Sequence, residues 1–398
     1  MMPKKNTVAM AVLNDFTHDS RVLREAVTLV KDGYSVAVVA LLSNELPTYE
    51  VVNDIKVFRI KNTKFLGFRN LVRYYTPLLW NGSSLQRKLY RKLAALEADI
   101  YHAHDLNTLL PCHQAAKKNN AKLIYDSHEL FLSTILPPYP LKNVLRTCYR
   151  FFVMLYFSII ERLLIRKTSA VITVNDTIAE ILSKKYKMKT PTVIMNVPDV
   201  PHLKQTKDIR RLFKLATDSK IILFHGMLGE GRGLLPLVHS MQHLPSNYFL
   251  LFIGTGGLQN TLQKESVKIF KNNNVLFHPM MTLQNLFSYM PSADIGVVLY
   301  EDISKNMKYA APNKLFEFMS AGLPLLCSDL PVMRNIVKTC QNGLIATDME
   351  PKKIAESITH LVSTNRFDDM QKNSLKCAKY KYNWAIESKK LLQLYKDL

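Results

Sequence analysis

The sequence predicts an α/β protein of two parallel-sheet domains facing across a cleft, and three observations carry that prediction. The chain has 398 residues, more than one hydrophobic core usually fills. Short apolar runs rich in Val and Ile alternate with helix-sized segments and lack the period-two pattern of half-exposed strands, so both strand faces are expected to be covered. That rhythm halts once, at the polar stretch 197-VPDVPHLKQTKDIR-210, and then resumes. The expected domains are residues 1–200 and 201–380, with a closing segment 381–398.

In order along the chain, TVAMAVL (7–13) reads as a first buried strand rather than a signal peptide, because Asn14-Asp15 breaks its apolar run too early. SRVLREAVTLVKDGY (20–34) has apolar residues at helical spacing and stops at Gly33. SVAVVALL (35–42), DIYHAHD (99–105), AKLIYDSH (121–128), AVITVN (170–175) and TVIMNVP (192–198) are strand-sized runs. The second half repeats the pattern with KIILFHG (220–226), YFLLFIGTG (248–256), NVLFHP (274–279), DIGVVLY (294–300) and LPLLCSD (323–329). WAIESKKLLQLYKDL (384–398) is a closing helix.

A composition of 47% hydrophobic and 21% charged residues excludes a disordered chain. The net charge of +21 asks for an anionic partner: nucleic acid, an anionic membrane or a phosphorylated ligand. The cysteines Cys112, Cys148, Cys327, Cys340 and Cys377 are odd in number, scattered and without a CxxC pair. They argue against a disulfide framework and a structural zinc, and for a reducing compartment. No run reaches the roughly 18–20 apolar residues of a membrane-spanning helix.

Three loops after strands are candidates for chemistry. Gly226, Gly229, Gly231 and Gly233 follow 220-KIILFHG-226 and keep side chains away, so backbone N–H groups can face a phosphate beside the charge of Arg232; the alternative is a plain strand–helix turn. Gly254, Gly256 and Gly257 lack the third glycine of a dinucleotide fingerprint and read as a tight turn. The helix opening at Pro312 and Asn313 presents a positive end, reinforced by Lys314, with Glu317 one turn on. Phosphates at that end and a ribose diol on Glu317 would match a nucleotide; the alternative is an acid placed for the helix dipole.

In the first half, His128 of 126-DSHE-129 follows a strand and stands beside Asp126 and Glu129. His102, His104 and Asp105 end the neighbouring strand, where alternation is expected to send them to opposite faces, so no metal site is expected. No Asp-x-Asp pair suited to a metal–diphosphate complex occurs in the chain. Residues 55–96 contain no acid and interleave aromatics with cations, among them Arg69, Arg73, Arg87, Lys88, Arg91 and Lys92. With the aromatic segment 150-RFFVMLYFSIIERLLIRK-167, they suit an anionic membrane surface better than nucleic acid.

These residues together resemble a known family. The segments 19-DSRVLREAVTLVKDGYSVAVVA-40, 101-YHAHD-105, 124-IYDSHELF-131, 171-VITVN-175, 194-IMNVPD-199, 225-HGMLGEGRG-233 and 312-PNKLFEFMSAGLP-324 are similar to those of GT-B glycosyltransferases, of the family-4 retaining type that builds bacterial surface polysaccharides such as lipopolysaccharide or capsule. The resemblance covers nearly the whole chain. It implies two Rossmann-like domains, an N-terminal one for the acceptor and a C-terminal one for a nucleotide-sugar, with the last helix crossing back to the N-terminal domain. By resemblance, Glu317 binds the donor ribose, Arg232 contacts the diphosphate and His128 lies near the transferred sugar, so these are the expected catalytic residues. Gly226, Gly231, Gly233, Asn313, Lys314 and Leu315 complete the expected donor site. Two positions depart from the pattern: Tyr309 replaces the family's first glutamate, and Met227 replaces an arginine.

The expected activity is metal-independent hexosyl transfer, without a cofactor, from a nucleotide-sugar to a lipid-linked or other saccharide acceptor, at the cytoplasmic face of the cell membrane. The alternatives are a non-hydrolysing nucleotide-sugar epimerase and a non-enzymatic basic protein that binds membrane or nucleic acid.

Overall fold

A computed structural model describes residues 6–17, 19–43, 45–61, 84–135, 144–199, 206–269 and 274–398. The chain divides into two compact units, Met1–Met195 with Glu387–Leu398, and Asn196–Ile386. The sequence expectation placed the divisions at 200/201 and 380/381.

The first unit holds strands β1 (Thr7–Ala11), β2 (Ser35–Leu42), β3 (Tyr49–Val52), β4 (Ile55–Lys61), β5 (Ile100–His104), β6 (Lys122–Ser127), β7 (Ala170–Thr173) and β8 (Thr192–Val193). Their spatial order is β3-β4-β2-β1-β5-β6-β7-β8. Neighbours run parallel except β3 and β4, which form an antiparallel hairpin at one edge. Its turn places Asn53 and Asp54 at φ +51° and +64°, the left-handed pair that a two-residue hairpin turn requires. Because β1 lies between β2 and β5, the order reverses there, and loops leaving β1 and β5 meet at a topological switch point.

The second unit holds β9 (Lys220–His225), β10 (Tyr248–Ile253), β11 (Val275–His278), β12 (Ile295–Val298), β13 (Leu325–Ser328) and β14 (Gly343–Ala346). The order β11-β10-β9-β12-β13-β14 is parallel throughout, with its switch point between β9 and β12. Phe224, Phe252, Val297 and Leu326 are buried from the sheet, and Leu237, Ile354 and Ile358 cover one face from helices. Covered faces explain why these strands lack alternation. Both units are therefore Rossmann-like parallel α/β layers.

Local signals set the helix ends. Asp19 caps the helix Ser20–Lys31 by accepting from the Val22 amide at 3.2 Å, and Gly33 follows its end at φ +98°. The helix Trp384–Lys396 belongs to the first unit from Glu387 onward. There the buried Glu387 carboxylate accepts from the Met195 amide at 2.8 Å. One expectation is overturned: Cys340 and Cys377 form a disulfide between the helices Pro331–Cys340 and Phe367–Tyr380. Their separation of 37 residues hid a pairing that only helix packing brings together. Among the described residues, no helix is long and apolar enough to cross a membrane.

Candidate functional site

In the second unit, the candidate residues gather where β9 and β12 end. Gly226 follows β9 at φ +105°, and the neighbouring strand approaches so closely that a Cβ on Gly254 would lie 1.9 Å from the Gly226 carbonyl oxygen. The loop onward to residue 233 is tied to the chain after β12. Glu301 N–H donates to the Gly231 carbonyl at 2.9 Å, and Gly233 N–H donates to the Glu301 carboxylate at 3.1 Å. A Cβ on Gly233 would meet the Leu299 carbonyl at 2.6 Å, so the glycine lets the loop lie against β12. Arg232 Nη1 donates to the Tyr300 hydroxyl at 2.9 Å, which holds the guanidinium over this strand end.

Across that loop stands the helix Asn313–Ser320. The Lys314 ammonium lies 3.5 Å above the Phe224 ring, is 5% exposed and has no hydrogen-bond partner. Its Nζ is 3.6 Å from where a Cβ on Gly226 would be. Burial, and then the Arg232 charge, pull its pKa well below the ordinary lysine value, with Glu317 opposing. Glu317 Oε2 is 3.1 Å from His225 Nε2 at the end of β9. The helix therefore brings Lys314, Glu317, Arg232 and His225 to one strand end, at the switch point of this sheet.

Two further donor-site candidates open the same helix. Asn313 is the first helical residue and Pro312 the cap, and Asn313 Oδ1 accepts from Asn196 Nδ2 at 2.8 Å. Leu315 is fully buried, and its amide already donates to the Pro312 carbonyl at 3.0 Å, so its side chain belongs to the core. Of the departures from the family pattern, Tyr309 ends the one-turn helix Lys305–Lys308 and Met227 projects into solvent.

In the first unit, loops after β5 and β6 bring a second group together. His128 Nδ1 is 3.2 Å from Asp105 Oδ2, and its Nε2 is 2.9 Å from Asp126 Oδ2 and 3.2 Å from His104 Nδ1. Burial and Arg21 would lower the His128 pKa, but Asp105 and Asp126 prevail and raise it to about 10. Asp105 sits at φ +66°, ψ 162°, a conformation that costs a non-glycine residue about 1–3 kcal/mol. The strain aims its carboxylate at His128, whose amide it also accepts at 3.3 Å.

The expectation that His102 and His104 point to opposite faces is wrong. Residues two apart on a strand share a face, and the two rings stack with centroids 4.2 Å apart. Behind them lie Glu25 and Tyr395, whose hydroxyl is 2.8 Å from His102 Nδ1. Sequence reasoning missed Glu25, Tyr395, His225 and Tyr300. The strand-end positions of His225 and Tyr300 were legible signals, whereas nothing local marks Glu25 or Tyr395.

Of the basic candidates, Arg69 and Arg73 lie outside the described residues. On the helix Ser84–Ala94, Arg87 and Arg91 are exposed one turn apart. Lys88 Nζ instead donates to the Lys61 carbonyl at 3.4 Å, and Lys92 Nζ lies 3.5 Å over the Phe58 ring. The helix Val144–Leu164 buries Val153, Phe157 and Glu161 and turns Phe151, Phe152, Leu155, Ile159 and Leu163 outward. Glu161 accepts from the Tyr125 and Tyr186 hydroxyls, which anchors the inner face.

A family model described as Glycosyltransferase Family 4 matches residues 20–200, and one described as Glycosyl transferases group 1 matches residues 205–384. The chain is a glycosyltransferase. This glycosyltransferase is 24% identical over 388 residues to an uncharacterized glycosyltransferase of Methanocaldococcus jannaschii, covering 92% of this chain and 91% of the relative. It is 21% identical over 403 residues to a chitobiosyldiphosphodolichol beta-mannosyltransferase of Candida albicans, covering 94% and 83%. Among solved structures, HepE of Anabaena in complex with UDP and glucose is similar at TM-score 0.73, with 14% identity, over 99% of this chain and 100% of that one. The two parallel sheets and these likenesses are those of the GT-B fold.

Proposed function

We propose that this glycosyltransferase moves a hexosyl group from a nucleotide-sugar to a lipid-linked saccharide, with retention of anomeric configuration, in cell-surface polysaccharide or glycolipid synthesis. The observation that carries the donor assignment is the pairing of a buried, unpartnered Lys314 ammonium with the Glu317 carboxylate one turn on, at the switch point of the second sheet. A cation there suits the diphosphate and a carboxylate suits the ribose diol. HepE, whose structure was solved with UDP and glucose, supports a nucleotide-sugar donor.

In the transfer, the bond between the anomeric carbon and the phosphate oxygen breaks, and its electron pair goes to the diphosphate. The acceptor oxygen bonds to the anomeric carbon on the face the diphosphate leaves, and its hydroxyl proton passes to the departing diphosphate oxygen on that face. Lys314 and Arg232 stabilise the charge on the leaving group, so no metal ion is required at the diphosphate. His128, with both ring nitrogens turned to Asp105, Asp126 and His104, acts as a positioning residue toward sugar or acceptor rather than as a base.

The outward stripe Phe151, Phe152, Leu155, Ile159 and Leu163, beside the exposed Arg162, Arg166 and Lys167, supports a peripheral site on the cytoplasmic face of an anionic membrane. The name of the Candida relative supports an acceptor carried on a lipid diphosphate.

A thermal-shift panel of UDP-, GDP-, ADP- and dTDP-sugars identifies the donor. Glu317→Ala is expected to weaken binding of that donor about 10- to 100-fold, the loss of charged hydrogen bonds. Unchanged affinity would reject the site. Release of free nucleoside diphosphate only when acceptor is present separates transfer from epimerisation.

A further inference from the structure

A buried cluster in the first unit has chemistry that donor binding does not use. Glu25 on the helix Ser20–Lys31, His102 and His104 on β5, and Asp126 on β6 each offer one ligand atom, and these atoms lie within 4.8 Å of one another. None of the four residues is more than 2% exposed. Glu25 Oε2, His102 Nε2 and His104 Nε2 have no hydrogen-bond partner. A folded protein rarely leaves one buried polar atom unpaired, let alone three in one place.

His104 Nδ1 lies 3.3 Å from Asp126 Oδ2 and leaves Nε2 without a partner, whereas around His102 Nε2 the spacing is too long for hydrogen bonds and near that of a coordination shell. His102 Nε2 stands 3.9 Å from both Glu25 Oε2 and Asp126 Oδ2, beyond hydrogen-bond reach. Ligands at about 2.0–2.2 Å from a tetrahedral ion stand roughly 3.3–3.6 Å from each other, so the 3.9 Å pairs close by a few tenths of an ångström and the widest spacing, up to 4.8 Å, by about 1 Å. Supporting groups are also in place. The Tyr395 hydroxyl fixes His102 through Nδ1 at 2.8 Å, and His128 fixes Asp126 at 2.9 Å, the kind of outer contacts that orient metal ligands.

Charge points the same way. His128 and Asp105 offset each other, which leaves the carboxylates of Glu25 and Asp126 buried beside two imidazoles.

We propose that Glu25, His102, His104 and Asp126 form a structural site for a divalent transition-metal ion of the zinc class. Two imidazoles and two carboxylates suit zinc or cobalt, and four protein ligands with no open position mark a structural site rather than a catalytic one. The ion ties β5 and β6 to the first helix behind His128, and no step of the transfer passes through it.

The test uses full-length protein stripped with a chelator. Cobalt(II) added at about one equivalent is expected to give the visible absorption of a tetrahedral site, and zinc to displace it and raise Tm. Glu25→Gln and His102→Gln are expected to lose both responses while hydrogen-exchange protection of β1, β2 and β7 stays at the level of the stripped wild type, which reports that the first unit of the variants folds. A stripped wild-type protein with no cobalt spectrum and no zinc-dependent shift overturns the proposal, as does an equal response in Glu25→Gln. Failure here would leave the donor site standing, since Glu317→Ala tests that separately.

Discussion

Lys314 is the residue whose state a ligand would change most. Arg232 and Glu317 act on its charge, Phe224 lies under it, and His225 faces Glu317 beside it. Its folded pKa lies below the unfolded value of about 10.4, so this group makes stability rise with pH through that interval and stop above it. A diphosphate brought to Nζ favours the charged form, so donor binding is linked to proton uptake wherever part of the lysine is neutral. Calorimetry over a series of pH values below about 10.4, in buffers of different ionisation enthalpy, is expected to show uptake that grows with pH in the wild type and is absent in Lys314→Met. Residue types and strand-end positions were enough to select Lys314, Glu317 and Arg232. The Phe224 ring beneath Lys314, which is what burial and the lowered pKa depend on, could not be read from local sequence.

At the scale of elements, the helix Val144–Leu164 inverts the usual order. Its polar Glu161 is buried against two tyrosines while phenylalanines face outward. An exposed apolar stripe of this length calls for a covering surface, and the adjacent basic residues favour an anionic one. Replacing Phe151, Phe152, Leu155 and Ile159 with serine should weaken binding to anionic liposomes by roughly two to three orders of magnitude, at about 1 kcal/mol per half-buried side chain. Flotation measures the loss, and an unchanged Tm would confirm that these residues do not hold the fold; liposome binding equal to the wild type would remove the membrane role. Other elements were less legible. The hairpin β3–β4 escaped notice although its Asn53-Asp54 turn was visible, because β3 has only four residues and Lys56, Arg59 and Lys61 interrupt the apolar run of β4. Strand β14, only Gly343–Ala346, was too short to stand out from the loops around it.

At the scale of the whole molecule, the first unit is closed by residues from the far end of the chain. Leu391 and Tyr395 are buried there, nearly three hundred positions from the strands they cover. Leu391→Ala should destabilise the first unit by about 2–5 kcal/mol, the cost of a core cavity. Hydrogen exchange is the readout: faster exchange in β5 and β6 with β9–β14 unchanged is expected, and uniform protection in the mutant would show that the helix only decorates the surface.

What the sequence by itself determined was local: which runs are strands, where helices start, and which loops after strands carry charge. Hydrophobic period, capping residues and glycines act over a few positions and are visible there. Tertiary structure alone decided the strand order, the Cys340–Cys377 disulfide, and the union of Glu25, His102, Asp126 and Tyr395 in one cluster. Those contacts join positions tens to hundreds of residues apart, and their partners are chosen by sheet register and helix packing, which no short window of residues encodes.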